Sequence, residues 1–539
     1  MKKNYFLTFF ILFACLFAGA QVTNDGEPLS WSKASLKNSS SITMDSFDLV
    51  AIQKEDAIND LDRTKPWRFG QEFSVNLGMD NAGTWDELDN GDRIWRLNIV
   101  SPGAKTLNFI FDTYRVPDGA SVYLYNNDRS DLLGAYTNVL NREDEMLGTW
   151  LVEGDNVWIE YHEPKNVQGQ GRLNVGKVVH GYRSTTDSEI MQKALNDSGN
   201  CNQDVDCGVG ADYDALKERL KHSVAFIIMQ GFVCTGQLIN NTNNDKAPYF
   251  LTANHCNAGP TSTWSFRFNW ISPNPVCATS QNSTDAAVNQ TTSGATNLVN
   301  NSGSDVRLLE LTGGLDPSWD LEWAGWDRTD DTPSFTVGIH HPSGDIMKIC
   351  RDDDPMLKTT YAGAQVWYIN DGASGGWDIG VTEGGSSGSA LFDEDGRIVG
   401  QLFAGQAACA GTNDNGSWDV YGRFATSWNS NNLGQWLDPT STGVTTFNMY
   451  SQVLSTTEEE FRSSLDIYPN PSSGILNITN RTNSKIEFVV YSILGKSIKT
   501  GTISDFNNEI DLSGFNNGIY IVKLSQNNSS IYKKIILSK

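Results

Sequence analysis

The sequence predicts an all-β protein. Short apolar runs alternate with clusters of Asn, Gly, Ser and Thr, the pattern of short strands joined by turns. Glycine is abundant, at 49 of 539 residues. Long apolar stripes of helical period are scarce. The chain is too long for one domain, and a 39% hydrophobic content with 16 Trp, 17 Tyr and 24 Phe supplies several cores. The net charge of −24, from 40 basic and 64 acidic residues, repels nucleic acid and anionic membranes and favours a cationic substrate.

Residues 1–20 read as a secretory signal peptide: Met1-Lys2-Lys3, an apolar run from Phe6 to Phe17, then Ala18-Gly19-Ala20. The run is too short to span a bilayer, and Phe13 fits poorly before Cys15 as a lipidation site. No later stretch is apolar enough to cross a membrane. The remaining seven cysteines all fall between Cys201 and Cys409. Export makes disulfides the expectation, and the odd count leaves one thiol over. The spacing fits no zinc site, and no metal or other cofactor is expected.

Up to about residue 193, Arg93–Val100, Leu107–Phe111 and Ser121–Tyr125 read as strands of an antiparallel sheet. Residues 194–447 hold the cysteines and the chemistry. Residues 448–464 read as a polar, acidic linker carrying Glu458-Glu459-Glu460. From Leu465 onward, strand-like runs at Ile486–Tyr491, Ile519–Leu524 and Ile531–Leu537 suit a small β-sandwich.

Three motifs in the central region carry chemistry. Phe250-Leu-Thr-Ala-Asn-His-Cys256 delivers His255 at a strand end beside a cysteine that can anchor its turn. Ser304-Asp-Val-Arg-Leu-Leu-Glu-Leu311 places Asp305 before a buried strand, where its carboxylate would accept the second imidazole N–H. Glu383-Gly-Gly-Ser-Ser-Gly-Ser389 sets Ser387 in a glycine-rich turn, with the N–H groups of Gly385 and Ser387 as the oxyanion hole. Each motif alone also suits an ordinary turn. The chain order His, Asp, Ser is that of the chymotrypsin arrangement, which makes His255, Asp305 and Ser387 a catalytic triad. The run Asp352-Asp-Asp354 is expected to be a solvated loop.

At these residues the sequence resembles bacterial lysyl endopeptidases, trypsin-like serine proteases, over about residues 200–445. The shared blocks are Cys234–Leu238, Tyr249–Cys256, Trp323–Arg328, Ile339–Pro342, Gly380–Glu383 with the serine loop, Val399–Leu402 and Trp418–Arg423. The resemblance implies a chymotrypsin-like double β-barrel with the active site between barrels. It places Asp419 at the base of the primary specificity pocket and favours lysine over arginine. It implies the disulfides Cys201–Cys409, Cys207–Cys277 and Cys234–Cys256, leaving Cys350 as the odd thiol. Two positions depart from the pattern. Phe403 stands where the family has a histidine, and Ser386 stands where most animal trypsins have an aspartate that captures a freed N-terminal amine.

With that ion pair impossible, activation should depend on another way of removing residues 21–193, which then read as a β-rich propeptide that assists folding and blocks the cleft. Lys193 is the expected cleavage point, with Lys177 and Arg183 as alternatives. The tail, through Leu465–Gly474, Tyr491–Lys496, Ile510–Gly514, Gly518–Lys523 and Lys533–Leu537, resembles the C-terminal sorting domain of type IX secretion cargo over residues 465–539. That implies contact with the type IX secretion machinery and release to, or attachment at, the cell surface.

The expected function is a secreted, monomeric serine endopeptidase. It would cut protein or peptide substrates after lysine through an acyl-enzyme, with no nucleic-acid partner. The alternatives are trypsin-like cleavage after Lys and Arg, or a surface adhesin on an inactive protease fold.

Overall fold

A computed structural model describes residues 26–33, 36–183, 195–285, 290–369, 376–450, 465–480, 485–493, 496–504, 507–526 and 529–539. Residues 1–20 and Lys193 lie outside the described residues. The chain is all-β in class, with a few short helices, and divides into two units at Tyr450/Ser451.

In the first unit, residues 41–181 form two facing sheets. One has the strand order Ser41–Thr43, Arg93–Val100, Asn156–Glu163, Ser121–Asn126, Leu132–Tyr136. The other runs Val152–Glu153, Thr106–Arg115, Arg172–Gly181, Gly70–Gly78. Inward side chains such as Trp95, Leu97, Phe109, Phe111, Leu124 and Ile159 are fully buried between them. The stretches that alternate in the sequence are therefore strands here.

The central region adds two larger antiparallel sheets, the two halves of the double barrel. The first has the order Gln290–Ser293, Ser265–Phe268, Val224–Met229, Phe232–Leu238, Tyr249–Ala253, Val306–Leu311, Ala295–Asn301. The second runs from Gln203–Asp204 through Lys348–Asp352, Thr336–His340, Ala390–Phe392, Arg397–Gly405, Asp419–Arg423 and Ala364–Ile369 to Leu357–Tyr361.

The strand Val224–Met229 explains how the N-terminal and central regions join. Its sequence, VAFIIM, is apolar on both faces, as a strand covered on both sides must be. Ala225, Ile227 and Met229 enter the core of their own sheet. Phe226 and Ile228 enter the core of the N-terminal region, as do Val233, Trp270 and Ile346. Arg267 is sandwiched there between Trp150 and Trp270. Residues before and after the masked stretch 184–194 thus share one core rather than packing as separate bodies.

The second unit pairs a three-stranded sheet (Leu465–Tyr468, Ile475–Asn480, Asn507–Asp511) with a four-stranded one (Ser497–Ile503, Ile486–Ser492, Gly518–Gln526, Ser529–Leu537). Leu476, Ile478, Val490, Val522, Leu524 and Ile535 form its core. Among the described residues, no helix is long and apolar enough to cross a membrane.

Candidate active site

The strand Tyr249–Ala253 ends two residues before His255, and the strand Val306–Leu311 pairs with it along its full length. That pairing brings Asp305, at the start of the second strand, beside His255 at the end of the first. The His255 backbone N–H donates to Asp305 Oδ1 at 2.9 Å, and His255 Nδ1 lies 2.7 Å from Asp305 Oδ2. Asp305 adopts a left-handed backbone (φ 55°) and its carbonyl accepts from Asn254 N–H. Both side chains are buried, and His255 Nε2 has no hydrogen-bond partner among the described residues. With Nδ1 held by the carboxylate, Nε2 is left as the free ring nitrogen.

The turn carrying Ser387 belongs to the second sheet and is clamped against the first. Thr235 N–H donates to the Ser387 carbonyl at 2.8 Å, and Thr235 Oγ1 donates to the Gly385 carbonyl at 2.9 Å. Cys256, the residue after His255, sets its sulfur 3.7 Å from the Ser387 carbonyl. Gly388 (φ 84°) admits no side chain, since a Cβ would stand 2.1 Å from Thr252 Oγ1. A bulkier residue here would push the serine turn off the histidine strand. The carbonyls of Gly384 and Ser386 accept from Ser343 N–H and Ser389 N–H respectively. In a trans peptide the N–H points opposite to the carbonyl, so the Gly385 and Ser387 N–H groups leave the other face of the turn.

Asp419 opens the strand Asp419–Arg423 and is buried. Its Oδ2 accepts from Trp377 Nε1 and Thr382 Oγ1, both at 2.7 Å, while Oδ1 has no hydrogen-bond partner. Gly405 lies directly against that free oxygen, where a Cβ would fall 1.7 Å from it. Burial raises the carboxyl to about 6, against the lowering effect of its hydrogen bonds to Thr382 and Trp377. Above it is a cavity of about 420 Å³ lined by Thr382, Gly384, Ser387 and Gly405 on one side and by Arg63 and Trp67 on the other.

The N-terminal region reaches this cavity through a short structured path. The helix Leu49–Asn59 is capped by Asp48, which accepts from Ala51 N–H. Its buried Asp56 holds Arg68 and the Tyr182 hydroxyl. Trp67–Arg68 then adds as an antiparallel strand to the edge at Phe232–Val233. Trp67 covers Gly384 so closely that a Cβ there would meet its ring at 2.5 Å. Arg63 is close enough that its charge draws both Asp419 and Glu383 towards ionisation.

The structure forms the disulfides Cys201–Cys409, Cys207–Cys277 and Cys234–Cys256. Cys350 is a buried free thiol, and burial pushes it well above the usual thiol range. Phe403 packs on His255 with ring centroids 6.0 Å apart and contacts Tyr361 from its other side. Of the acidic run, Asp352 is buried and raised to about 7 by that burial. Lys177 lies within a paired strand, bonded to Glu72 and Gln230, and Arg183 stacks over Trp67. Sequence reading missed the segment 56–68 and Glu383, whose contacts span more than 100 residues.

Residues 195–422 match the family model of the lysyl endopeptidase C-terminal domain. Residues 466–538 match the secretion system C-terminal sorting domain. With that sorting domain, of the type IX kind, the protein is secreted or carried at the cell surface. A lysyl endopeptidase of Pseudomonas aeruginosa is 28% identical over 270 residues, covering 48% of this chain and 57% of that protein. The match therefore spans less than two thirds of that relative's length. A solved structure of an inactive mutant protein from Mycobacterium tuberculosis H37Rv aligns with 43% of this chain and 93% of its own, at 16% identity and a TM-score of 0.27.

Proposed function

We propose that this chain is the precursor of a secreted serine endopeptidase that hydrolyses peptide bonds after lysine. The observation that carries the reading is the buried Asp419 carboxylate, one oxygen without a partner, beneath a cavity that Ser387 lines. A substrate ammonium would supply the missing partner. An uncharged side chain would leave the carboxylate unpaired, which disfavours it.

In this reading His255 Nε2 takes the proton of Ser387 Oγ as the hydroxyl attacks the carbonyl. Asp305 keeps the proton on Nδ1 and stabilises the imidazolium. The Gly385 and Ser387 N–H groups hold the oxyanion. His255 then protonates the leaving amine, and water repeats the sequence on the acyl-enzyme. The residues this mechanism uses all lie in the part that matches the lysyl endopeptidase model. Digestion of a mixed protein, with the new peptide ends read by mass spectrometry, tests the reading. Ends at lysine alone support it. Ends at both lysine and arginine make the enzyme trypsin-like. No cleavage, with Ser387 unlabelled by a serine-directed reagent, would favour an inactive protease fold.

Residues 21–193 act in this reading as a propeptide over the cleft, since Arg63 and Trp67 line the same cavity as Ser387. Arg63 then competes with any cation for Asp419. In a Ser387→Ala chain, which cannot process itself, the further change Arg63→Ala should tighten benzamidine binding roughly tenfold, the effect of removing a like charge near a half-buried site. Calorimetric titration measures this. Equal affinity in both chains would remove Arg63 from the pocket's electrostatics.

A further inference from the structure

The serine turn needs something to hold its peptides in place, and Ser386 cannot do this by charge. Ser386 Oγ pairs with His340 Nδ1 at 2.8 Å and accepts from Glu383 N–H at 3.2 Å. His340 is fully buried, which lowers it to about 3 and keeps it neutral. That contact is therefore an uncharged hydrogen bond.

A charged brace lies on the other side of the turn. The Glu383 carboxylate accepts from Gly199 N–H, 3.2 Å from each oxygen, and from Ser343 Oγ at 3.1 Å. Ser343 in turn donates its backbone N–H to the Gly384 carbonyl. That carbonyl shares a peptide with the Gly385 N–H, so fixing one aims the other. The segment that supplies Gly199 is itself pinned. Asp345, fully buried, accepts from Asn196 N–H at 2.6 Å and from Ser198 Oγ at 2.6 Å. Cys201 ties the following residue pair to Cys409. Gly199 admits no side chain, because a Cβ would lie 2.6 Å from Cys409 Sγ and 2.8 Å from Glu383 Oε1.

We propose that Glu383 is a positioning residue that joins the segment Asn196–Gly199 to Ser343 and thereby sets the orientation of the Gly385 N–H in the oxyanion hole. The inference rests on the serine endopeptidase reading above. It assigns to Glu383 no contact with substrate.

The test is steady-state kinetics on a lysine amide, with the active enzyme obtained from the full chain, for Glu383→Ala, Ser343→Ala, the double variant and Glu383→Gln. Glu383→Ala should lower kcat roughly 30-fold with KM within about threefold, somewhat less than the loss of a whole oxyanion donor. Ser343→Ala should lower kcat in the same direction. The double variant should be no worse than Glu383→Ala, because both sit on one chain of contacts. Glu383→Gln, which keeps an acceptor oxygen and guards against a simple folding failure, should recover most of the loss. Affinity for a lysine aldehyde, which forms a tetrahedral adduct, should fall with kcat, while benzamidine affinity stays unchanged. A rise in KM and in the benzamidine dissociation constant with kcat retained would overturn the proposal and put Glu383 in the substrate pocket. Fully additive losses would also overturn it. If the wild-type enzyme fails to label at Ser387, the endopeptidase reading falls first and takes this one with it.

Discussion

Ser387→Ala is expected to lower kcat roughly a million-fold while leaving KM for a lysine substrate within a few-fold. The size follows from the way the groups work as a unit: without the Ser387 hydroxyl, the His255 base has no proton to take. His255 is set for that one task. Two hydrogen bonds to Asp305, one from its backbone and one at Nδ1, fix the ring and leave Nε2 free. His255→Ala should therefore cost about as much as Ser387→Ala, and the double variant little more than either. Such non-additivity is the signature of a shared step. The change removes one oxygen from a turn whose backbone bonds to Thr235 are untouched, so the thermal midpoint should hold. Single-turnover assays at high enzyme concentration, with a melt as control, decide the point. A Ser387→Ala enzyme within tenfold of wild type would remove Ser387 from the chemistry. Additive losses would break the link between serine and histidine.

The parts of this molecule that could be read in its sequence are those written in local pattern. The strands at Arg93–Val100, Ser121–Asn126 and Gly518–Gln526 show as alternation or as β-branched runs because each residue's face is set by its neighbour's. His255, Asp305 and Ser387 could be singled out because each sits in a short motif, and their chain order supplied the link. The strand pairing Trp67–Arg68 on Phe232–Val233 has no such mark. It joins residues more than 160 positions apart, and a two-residue edge strand is too short to show a period. The same holds for Glu383, an acidic residue in a glycine-rich turn. Only the fold brings Gly199 and Ser343 to it. The run Val224–Met229 was open to reading but underused. Six apolar residues in succession indicate cover on both faces, and the N-terminal region is the second cover.

Asp419→Ser should lower kcat/KM for lysine substrates by roughly a thousand- to ten-thousand-fold and leave small neutral substrates nearly unchanged. Removing one partner of a buried ion pair costs about 3–5 kcal/mol, because the other charge is left without compensation. Here the charge left over is the substrate's own ammonium, so the loss falls on lysine alone. The Ser387 turn does not depend on Asp419, and labelling of Ser387 by a small serine reagent should proceed at the wild-type rate. The pH dependence gives an independent check. Burial raises the Asp419 carboxyl to about 6, so the pocket is charged above that value and becomes neutral as pH falls through it. In the wild type, the preference for lysine over a neutral substrate should weaken as pH drops from 7 to 5. Taking the ratio of the two substrates cancels whatever His255 contributes, because both need it. The bound ammonium holds the carboxyl ionised, so the change should appear in kcat/KM and much less in kcat. In Asp419→Ser the ratio should be low and flat across that range. If lysine cleavage survives the substitution, or the ratio keeps its slope, the cation is recognised elsewhere, and Glu383, on the rim of the same cavity, is the next carboxylate to replace.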